Sequence, residues 1–373
     1  MTPASMLDAC LRGRRTLAFV PALALAMVAC ADGSGGDGDA GGSSLPSGLE
    51  VMHNTLDNTI LPGFVAFETS TVDMQAQVSA LCTAPTLDAL EAAQTSWRSS
   101  SEAWNNVVAY DLGPLDDDVI TPAIIFVESM RQRGDDYTQT VRDAARLAID
   151  GTEPLDAAYA EALTFNKVGL LAIEVLVFED GREGNSTAPE DVLADFMERP
   201  RKCAYLQAVV TRLVGTADTV EHGWSVSFLD GPPFRETMLG PELADGAEPI
   251  AGLIVALFEH LAYVRDRKLE GILDAQLSGH FYANVTAMLR GLQQLLEQPE
   301  PEGAVGIFDF MLAHGFDAEV QATRANLDAA LAAAAAEDRA GLSAAIGGLE
   351  GNVKREIPDA LGVELGLTFT DGD

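Results

Sequence analysis

The sequence predicts an all-α protein made of two antiparallel four-helix bundles packed together. Apolar residues recur at helical spacing along most of the chain, and no alternating strand pattern of useful length competes before residue 363. A segment rich in Gly and Pro, residues 228–249, lacks helical stripes and divides the chain into two helical halves. Because amphipathic helices bury their apolar faces against one another, we expect an N-terminal bundle over 49–227 and a C-terminal bundle over 250–373.

Individual helices are indicated by apolar stripes and by residues that cap or break a helix. Thr86 is suited to be an N-cap, and Leu90, Trp97 and Trp104 then follow seven residues apart on one face. The alanine run inside residues 327–338 is a strong helix former. Two more stripes lie in the second half: Ile250, Leu253, Ile254, Leu257, Leu261 and Val264, then Phe281, Val285, Met288, Leu289, Leu292 and Leu296.

The N-terminus has the pattern of a bacterial export signal. Three arginines precede an apolar stretch over 17–29 that is too short to span a bilayer as a stable helix. The stretch ends in Met-Val-Ala before Cys30, which resembles the lipobox at which diacylglycerol is attached to the cysteine. We therefore expect a signal peptide over 1–29, then a lipidated Cys30 with a flexible tether over 30–48. The alternative is an ordinary secreted protein.

The net charge and the expected lipid anchor predict the location of the chain and the class of partner that it does not bind. The formal net charge of −34 repels nucleic acid and attracts cations, although acidic side chains that merely solvate the surface would give the same value. We expect no nucleic-acid partner. A lipidated Cys30 would hold the chain to the membrane of the cell envelope, facing the periplasm, with the outer membrane favoured over the inner.

Cysteine usage agrees with an oxidising compartment. Once Cys10 leaves with the signal peptide and Cys30 is lipidated, Cys82 and Cys203 remain as an even pair. We expect them to form a disulfide; two buried free thiols are the alternative.

One ionisable residue stands in an apolar helix. Residues 168–178 are apolar on every side except at Glu174, so the helix is expected to be buried all round. A carboxylate in that position must be paired, bound to a metal or protonated, because an unpaired buried charge is costly. A salt bridge to a neighbouring helix, with Arg201 or Lys202 as the cation, is the alternative to a functional role.

Four segments of the sequence form a recognisable series: Leu81–Thr86 running into Trp97, Trp104 and Gly113-Pro114; Gly169–Phe178; Arg201–Leu206; and Leu361–Phe369 with Asp371–Asp373. In their order and spacing they resemble the imelysin family, over about residues 50–373. The resemblance implies an all-helical fold of two four-helix bundles, a lipoprotein or periplasmic location and a link to iron uptake, and some members are classed as metallopeptidases.

The family's signature Gly-x-His-x-x-Glu falls on Gly169, Leu171 and Glu174. A His and a Glu three residues apart share one helix face and could share a metal, but leucine has no donor atom. Glu174 would need ligands from elsewhere. The histidines are scattered without metal-ligand spacing, and we expect each to be a surface or satisfied core residue: His53, His222, His260, His280 and His314.

Three functions are compatible with these observations. The first is a non-enzymatic envelope protein that handles iron or another divalent metal, or docks with an envelope protein of an iron-uptake system. The second is an interaction module that keeps the fold without binding metal, as Leu171 would suggest. The third is a metallopeptidase, which needs a metal that activates water and a general base. No catalytic residue is assigned, the cofactor is unknown, and Glu174 is the proposed metal ligand.

Overall fold

The computed structural model describes residues 45–116, 122–244 and 246–365. These residues form α-helices with short 3₁₀ and π segments and contain no strand, which confirms the all-α prediction. The predicted signal peptide, Cys30 and most of the tether lie outside the described residues. Within the described ranges, none of the helices combines the length and the apolar character needed to cross a bilayer.

The helices follow the order in which the sequence predicts them. Thr86 is indeed an N-cap, since its side chain accepts a hydrogen bond from the backbone N–H of Ala89 at 3.1 Å. The bounds are α1 Gly48–Thr55, α2 Leu61–Thr83, α3 Leu87–Val107, α4 Ala123–Val127, α5 Thr138–Asp150, α6 Ala157–Glu161, α7 Gly169–Phe178, α8 Pro189–Glu198, α9 Pro200–Ser225, α10 Phe234–Met238, α11 Pro249–Tyr263, α12 Phe281–Glu297, α13 Ile307–Ala313, α14 Asp317–Ala335, α15 Arg339–Gly351 and α16 Ile357–Leu361, with π segments Leu56–Ile60, Val264–Leu269 and Asn352–Glu356 and 3₁₀ segments Ser129–Arg131 and Phe165–Lys167.

The N-terminal half is organised around the two long helices α2 and α9. Helix α2 packs against α3 and α9, while α7 lies against α3, α5 and α9. Cys82 at the end of α2 is disulfide-bonded to Cys203 at the start of α9, with their Cα atoms 5.4 Å apart. The expected cysteine pair is therefore joined, and it ties together two helices that are distant in the sequence.

The C-terminal half packs on the first through α3. Helix α12 contacts α3 on one side and α14 on the other, and α15 lies against α14 and α11. Trp97, Trp104 and Trp224 are fully buried in an apolar core that runs through both halves.

The Gly- and Pro-rich segment 228–249 contains the short helix α10, which contacts α9 and α11. Because this core is continuous, a boundary between two separate bundles remains a prediction.

Candidate functional site

Helix α7 is held in place by the glycine that begins it. Gly169 has a φ of +75°, and a Cβ there would lie 2.5 Å from the carbonyl oxygens of both Phe126 and Val127. A side chain would therefore meet backbone that cannot give way, and it would also be strained by the left-handed conformation. The glycine of the motif thus lets α7 approach the end of α4, next to Glu128.

Glu174 is buried, with 2% of its surface exposed, and is hydrogen-bonded to a residue from the other half of the chain. Its Oε1 accepts from the backbone N–H of Ser278 at 2.9 Å and from the Ser278 hydroxyl at 2.8 Å. Ser278 lies in the irregular segment between Leu269 and Phe281. Glu174 forms no ion pair with another described residue.

The salt bridge suggested from sequence is wrong. Arg201 donates to the carbonyl oxygens of Ala148 and Glu153, both at 2.8 Å. Lys202 pairs with Asp195 at 3.0 Å and donates to the carbonyl of Glu179. Both cations lie on α9, but they bind backbone carbonyls and a carboxylate near the ends of α5, α7 and α8. Neither therefore compensates the buried carboxyl group of Glu174.

The electrostatic environment favours a Glu174 that holds its proton near neutral pH. Burial raises its pKa to about 7, because the carboxylate is removed from water. The hydrogen bonds from Ser278 favour the ionised form and oppose this, while the nearby Asp274 carboxylate raises the pKa further. A buried carboxyl group can be paired with a cation, bound to a metal or protonated. For Glu174 the structure favours partial protonation, with hydrogen bonds from neutral donors.

Glu174 lines a cavity of about 270 Å³ between α3, α7, α12 and the segments 127–142 and 272–277. Leu171 lines the same cavity, as residues three apart on one helix face should. The motif therefore faces a partly open cavity, in which Glu174 is buried and Leu171 is partly exposed. Trp97, Trp104 and Leu170 add to its apolar wall.

Two oxygen atoms in the cavity wall lack hydrogen-bond partners. Oδ1 of Asn284 belongs to a residue that is 2% exposed, and neither it nor Oδ1 of Asp274 accepts a hydrogen bond from any described residue. Leaving a buried acceptor unsatisfied costs about 1–3 kcal/mol. Both residues line the cavity, and the two unsatisfied oxygen atoms themselves are buried in its wall.

A buried lysine beside the cavity is shared by two carboxylates. Lys268 Nζ lies 2.7 Å from Glu128 Oε1 and 2.7 Å from Asp274 Oδ2. Burial would raise the pKa of Glu128, but Lys268, together with the Arg131 charge and the hydrogen bond from Trp104, outweighs burial and lowers the pKa to about 2. Glu128 also accepts hydrogen bonds from Trp104 Nε1 and from the Tyr263 hydroxyl, each at 3.0 Å. One ammonium thus balances only one of the two carboxylates when both are ionised.

Comparison with known families shows which family the chain belongs to. The imelysin model of peptidase family M75 matches residues 60–361, which include α7 and every described residue of the cavity wall. The chain belongs to the imelysin family.

Relatives and solved structures agree with this membership. Iron-regulated protein A from Synechococcus elongatus is 22% identical over 242 residues, which cover 64% of this imelysin-family chain and 58% of the relative. An imelysin-like protein from Psychrobacter arcticum has a TM-score of 0.66 at 15% identity, covering 87% of this chain and 99% of its own. A protein proposed to be an iron-regulated protein A precursor from Parabacteroides distasonis has a TM-score of 0.58 at 12% identity, covering 86% and 97%. The chain spans less than two thirds of the Synechococcus relative's length.

The donor atoms in this imelysin chain do not fit a metal ion held through α7. Leu171 offers no donor, and no group of three or more His, Cys, Asp or Glu side chains is placed to hold a metal within residues 45–116, 122–244 and 246–365. Glu174 as a metal ligand therefore remains a prediction without supporting ligands among those residues.

The histidines lie away from Glu174. His53, His222 and His314 are exposed, and His280 Nε2 lies 2.6 Å from Glu102. His260 differs from the expected satisfied core histidine: it is fully buried, Nδ1 lies 3.1 Å from Arg131, and Nε2 has no partner among the described residues. None of the five lines the cavity.

Sequence reasoning missed the residues of the second half that contact Glu174 or line the cavity with it. Ser278 and Asp274 lie in an irregular segment, where no periodicity indicates which side chains turn inward. Asn284 did carry a signal, because it lies on the apolar stripe of α12, three residues after Phe281 and four before Met288. A polar residue at a core position of a helix indicates either a buried hydrogen bond or a site.

Proposed function

We propose that this imelysin-family chain is a lipid-anchored protein of the cell envelope that takes part in iron or metal acquisition by binding, without catalysis. The expected anchor is Cys30, and the expected position faces the periplasm, with the outer membrane favoured. The names of two relatives, which refer to iron regulation, support the link to iron. Docking to an envelope protein of an iron-uptake system is part of the same proposal.

The observation that carries the proposal is the cavity shared by Leu171 and Glu174. It combines a carboxyl group, two unpartnered oxygen acceptors and an apolar wall, which suits recognition of a small ligand. A metallopeptidase would need ligands that hold a water-activating metal, and Leu171 removes one of the two that α7 would provide. Binding is therefore favoured over peptide hydrolysis.

An interaction module without any ligand is the second candidate, and Leu171 is the observation that favours it. In that case the cavity would be a by-product of the fold. The two proposals differ at Glu174, since a purely structural module should tolerate Glu174→Gln without a change in its biological role.

Growth under iron limitation tests the proposal. A strain that lacks the gene is complemented with wild type, Cys30→Ser, Glu174→Gln or Glu91→Gln, the last an exposed control on α3. We expect wild type and Glu91→Gln to restore growth in the presence of an iron chelator, while Cys30→Ser leaves the membrane fraction and Glu174→Gln restores growth poorly. Unimpaired growth of the deletion strain would contradict a role in iron acquisition, and full rescue by Glu174→Gln would favour the interaction module.

Proteolysis is tested separately with the purified chain. Casein incubated with the protein and added Fe²⁺, Zn²⁺ or Ca²⁺ should remain intact. Cleavage by wild type that is lost in Glu174→Gln would establish an enzyme in place of a binding protein.

A further inference from the structure

Two residues of the cavity wall carry buried, unpartnered acceptors, which a ligand that donates hydrogen bonds would satisfy. Oδ1 of Asn284 and Oδ1 of Asp274 both lack donors within the described part of the chain. Arg142, which also lines the cavity, is occupied because it donates to both carboxylate oxygens of Glu179. The protein therefore presents acceptors here and has already used the guanidinium that could have served them.

The charge around the cavity favours a positive ligand. Acidic side chains outnumber basic ones among the described lining residues, where Arg142 is the basic side chain, and Lys268 behind the wall is shared between two acids. Burial raises the pKa of Glu174 and of Asp274, so a cation that enters the cavity would favour their ionised forms, while Glu128 is ionised already. The acidic residues that line the cavity are Glu128, Asp135, Asp136, Glu174 and Asp274.

Part of the cavity wall is apolar and aromatic. The indole N–H of Trp97 donates to the Leu170 carbonyl at 2.9 Å, and the indole N–H of Trp104 donates to the Glu128 carboxylate at 3.0 Å. These two residues therefore offer the cavity ring surface and no free donor. Leu171 adds aliphatic surface at the position where the family has histidine. An aromatic ring attracts cations, and an organic cation also buries its own carbon atoms against such a wall.

We infer that the cavity beside Glu174 binds a small organic cation, an ammonium group on an apolar body. The ammonium donates to Asn284 and Asp274 and faces the Glu174 carboxyl group, while the carbon skeleton lies against Trp97, Trp104 and Leu171. A bare metal ion would have to exchange its water for a wall that offers few ligands. The inference rests on the proposed function, since it assigns the ligand class of the same binding cavity.

Isothermal titration calorimetry on the purified mature chain tests the inference. The probes are benzylammonium and butylammonium, each paired with its neutral counterpart, benzyl alcohol and 1-butanol. We expect at least one ammonium to bind about tenfold more tightly than its alcohol, because a charged hydrogen-bonded group gains more than a neutral one. Equal affinities for ammonium and alcohol, or no binding of either ammonium, would overturn the inference.

Two cavity variants and one control separate recognition from folding. Asn284→Leu removes an unpartnered acceptor and should weaken ammonium binding about fivefold. Glu174→Gln keeps an oxygen for Ser278 and should weaken ammonium binding about tenfold while the alcohols change little. Glu91→Gln, which is exposed on α3, should leave all affinities unchanged. If Glu174→Gln and Asn284→Leu both fold and both bind ammonium like wild type, the ligand lies elsewhere and the inference fails.

Titration with Fe²⁺ and Zn²⁺ distinguishes this inference from the proposed function. If either metal binds through Glu174 and no ammonium binds, the ligand class is wrong and the role in metal handling stands. If ammonium binds as expected but loss of the gene leaves growth under iron limitation unchanged, the ligand class stands and the role in iron acquisition fails.

Discussion

Ser278 donates its backbone N–H and its hydroxyl to the same oxygen of Glu174, at 2.9 and 2.8 Å. The two residues are 104 positions apart, so this contact joins α7 of the N-terminal half to the segment that leads into α12. It is a contact between neutral donors and a carboxyl group whose pKa is raised to about 7 by burial. The motif glutamate thus contributes to packing as well as to the cavity.

Ser278→Ala should destabilise the fold by about 1–2 kcal/mol and raise the pKa of Glu174 further, because one hydrogen bond that favours the carboxylate is lost. Urea denaturation at several pH values measures both effects. The matched control is Ser225→Ala, which removes a hydroxyl that donates to the exposed Glu221 at 2.7 Å. We expect the control to change stability by less than about 0.5 kcal/mol. Equal effects of the two variants would contradict a special role for Ser278.

Glu174 should make stability fall as the pH rises. Its pKa of about 7 in the fold exceeds the ordinary value of 4.5, so the folded state binds more protons between these values. The contribution is complete below pH 4.5 and is lost as the pH passes 7. Relative to Glu174→Gln, wild type should lose roughly 2–3 kcal/mol of unfolding free energy between pH 5 and pH 8.

Denaturation of both proteins across that pH range checks this prediction. Because the other ionisable groups are common to both, their effects cancel in the difference. A difference that is constant with pH would show that Glu174 is ionised throughout.

Gly169→Ala should cost more than an alanine placed at an equally left-handed but open position. At Gly169 the new Cβ meets two carbonyl oxygens at 2.5 Å, whereas at Gly362, with a φ of +68°, nothing lies within 4 Å. Strain alone costs about 1 kcal/mol at Gly362, and the clash should add at least about 2 kcal/mol at Gly169. Thermal denaturation compares the two variants; similar losses would mean that α4 yields to the new side chain.

Removal of the disulfide should destabilise the chain substantially. Cys82 and Cys203 are separated by 121 positions, and closing a loop of this length stabilises a fold by roughly 2–5 kcal/mol. Denaturation of the double variant Cys82→Ser/Cys203→Ser should match that of reduced wild type, and a reductant should not affect it. A reductant-insensitive wild type would contradict the prediction.

Leu171→His should raise the affinity for a metal ion, because it places an imidazole three residues before Glu174 on the same cavity wall. Equilibrium dialysis with Zn²⁺ should detect at least about a tenfold gain in affinity, since a second ligand is added. Adding Glu174→Gln to this variant should abolish the gain. An unchanged affinity would show that the remaining wall cannot complete a coordination shell.

The sequence was sufficient for the helices because periodicity and capping are local. Thr86, the stripes of α11 and α12 and the burial of α7 follow directly from residue order. The resemblance also located Leu171 and Glu174 on one face, and both line the cavity.

The residues of the second half that surround Glu174 could not be predicted in the same way. Ser278 and Asp274 reach Glu174 only through the tertiary packing of an irregular segment. Arg201 and Lys202 were plausible by proximity in sequence, yet the backbone carbonyls near α5 and the carboxylate of Asp195 already occupy them. A cation that is close to a buried acid in the sequence does not predict a salt bridge when other acceptors compete for that cation.

The way α7 is fastened has an evolutionary consequence. Gly169 is fixed by the backbone beside it and Glu174 by Ser278, so neither anchor depends on the chemistry of the side chain at Leu171. Leu171 itself packs against the apolar core, so a replacement there changes one contact of the cavity wall while both anchors of the helix remain. The glycine and the glutamate can therefore be kept together in a chain whose residue 171 has no donor atom.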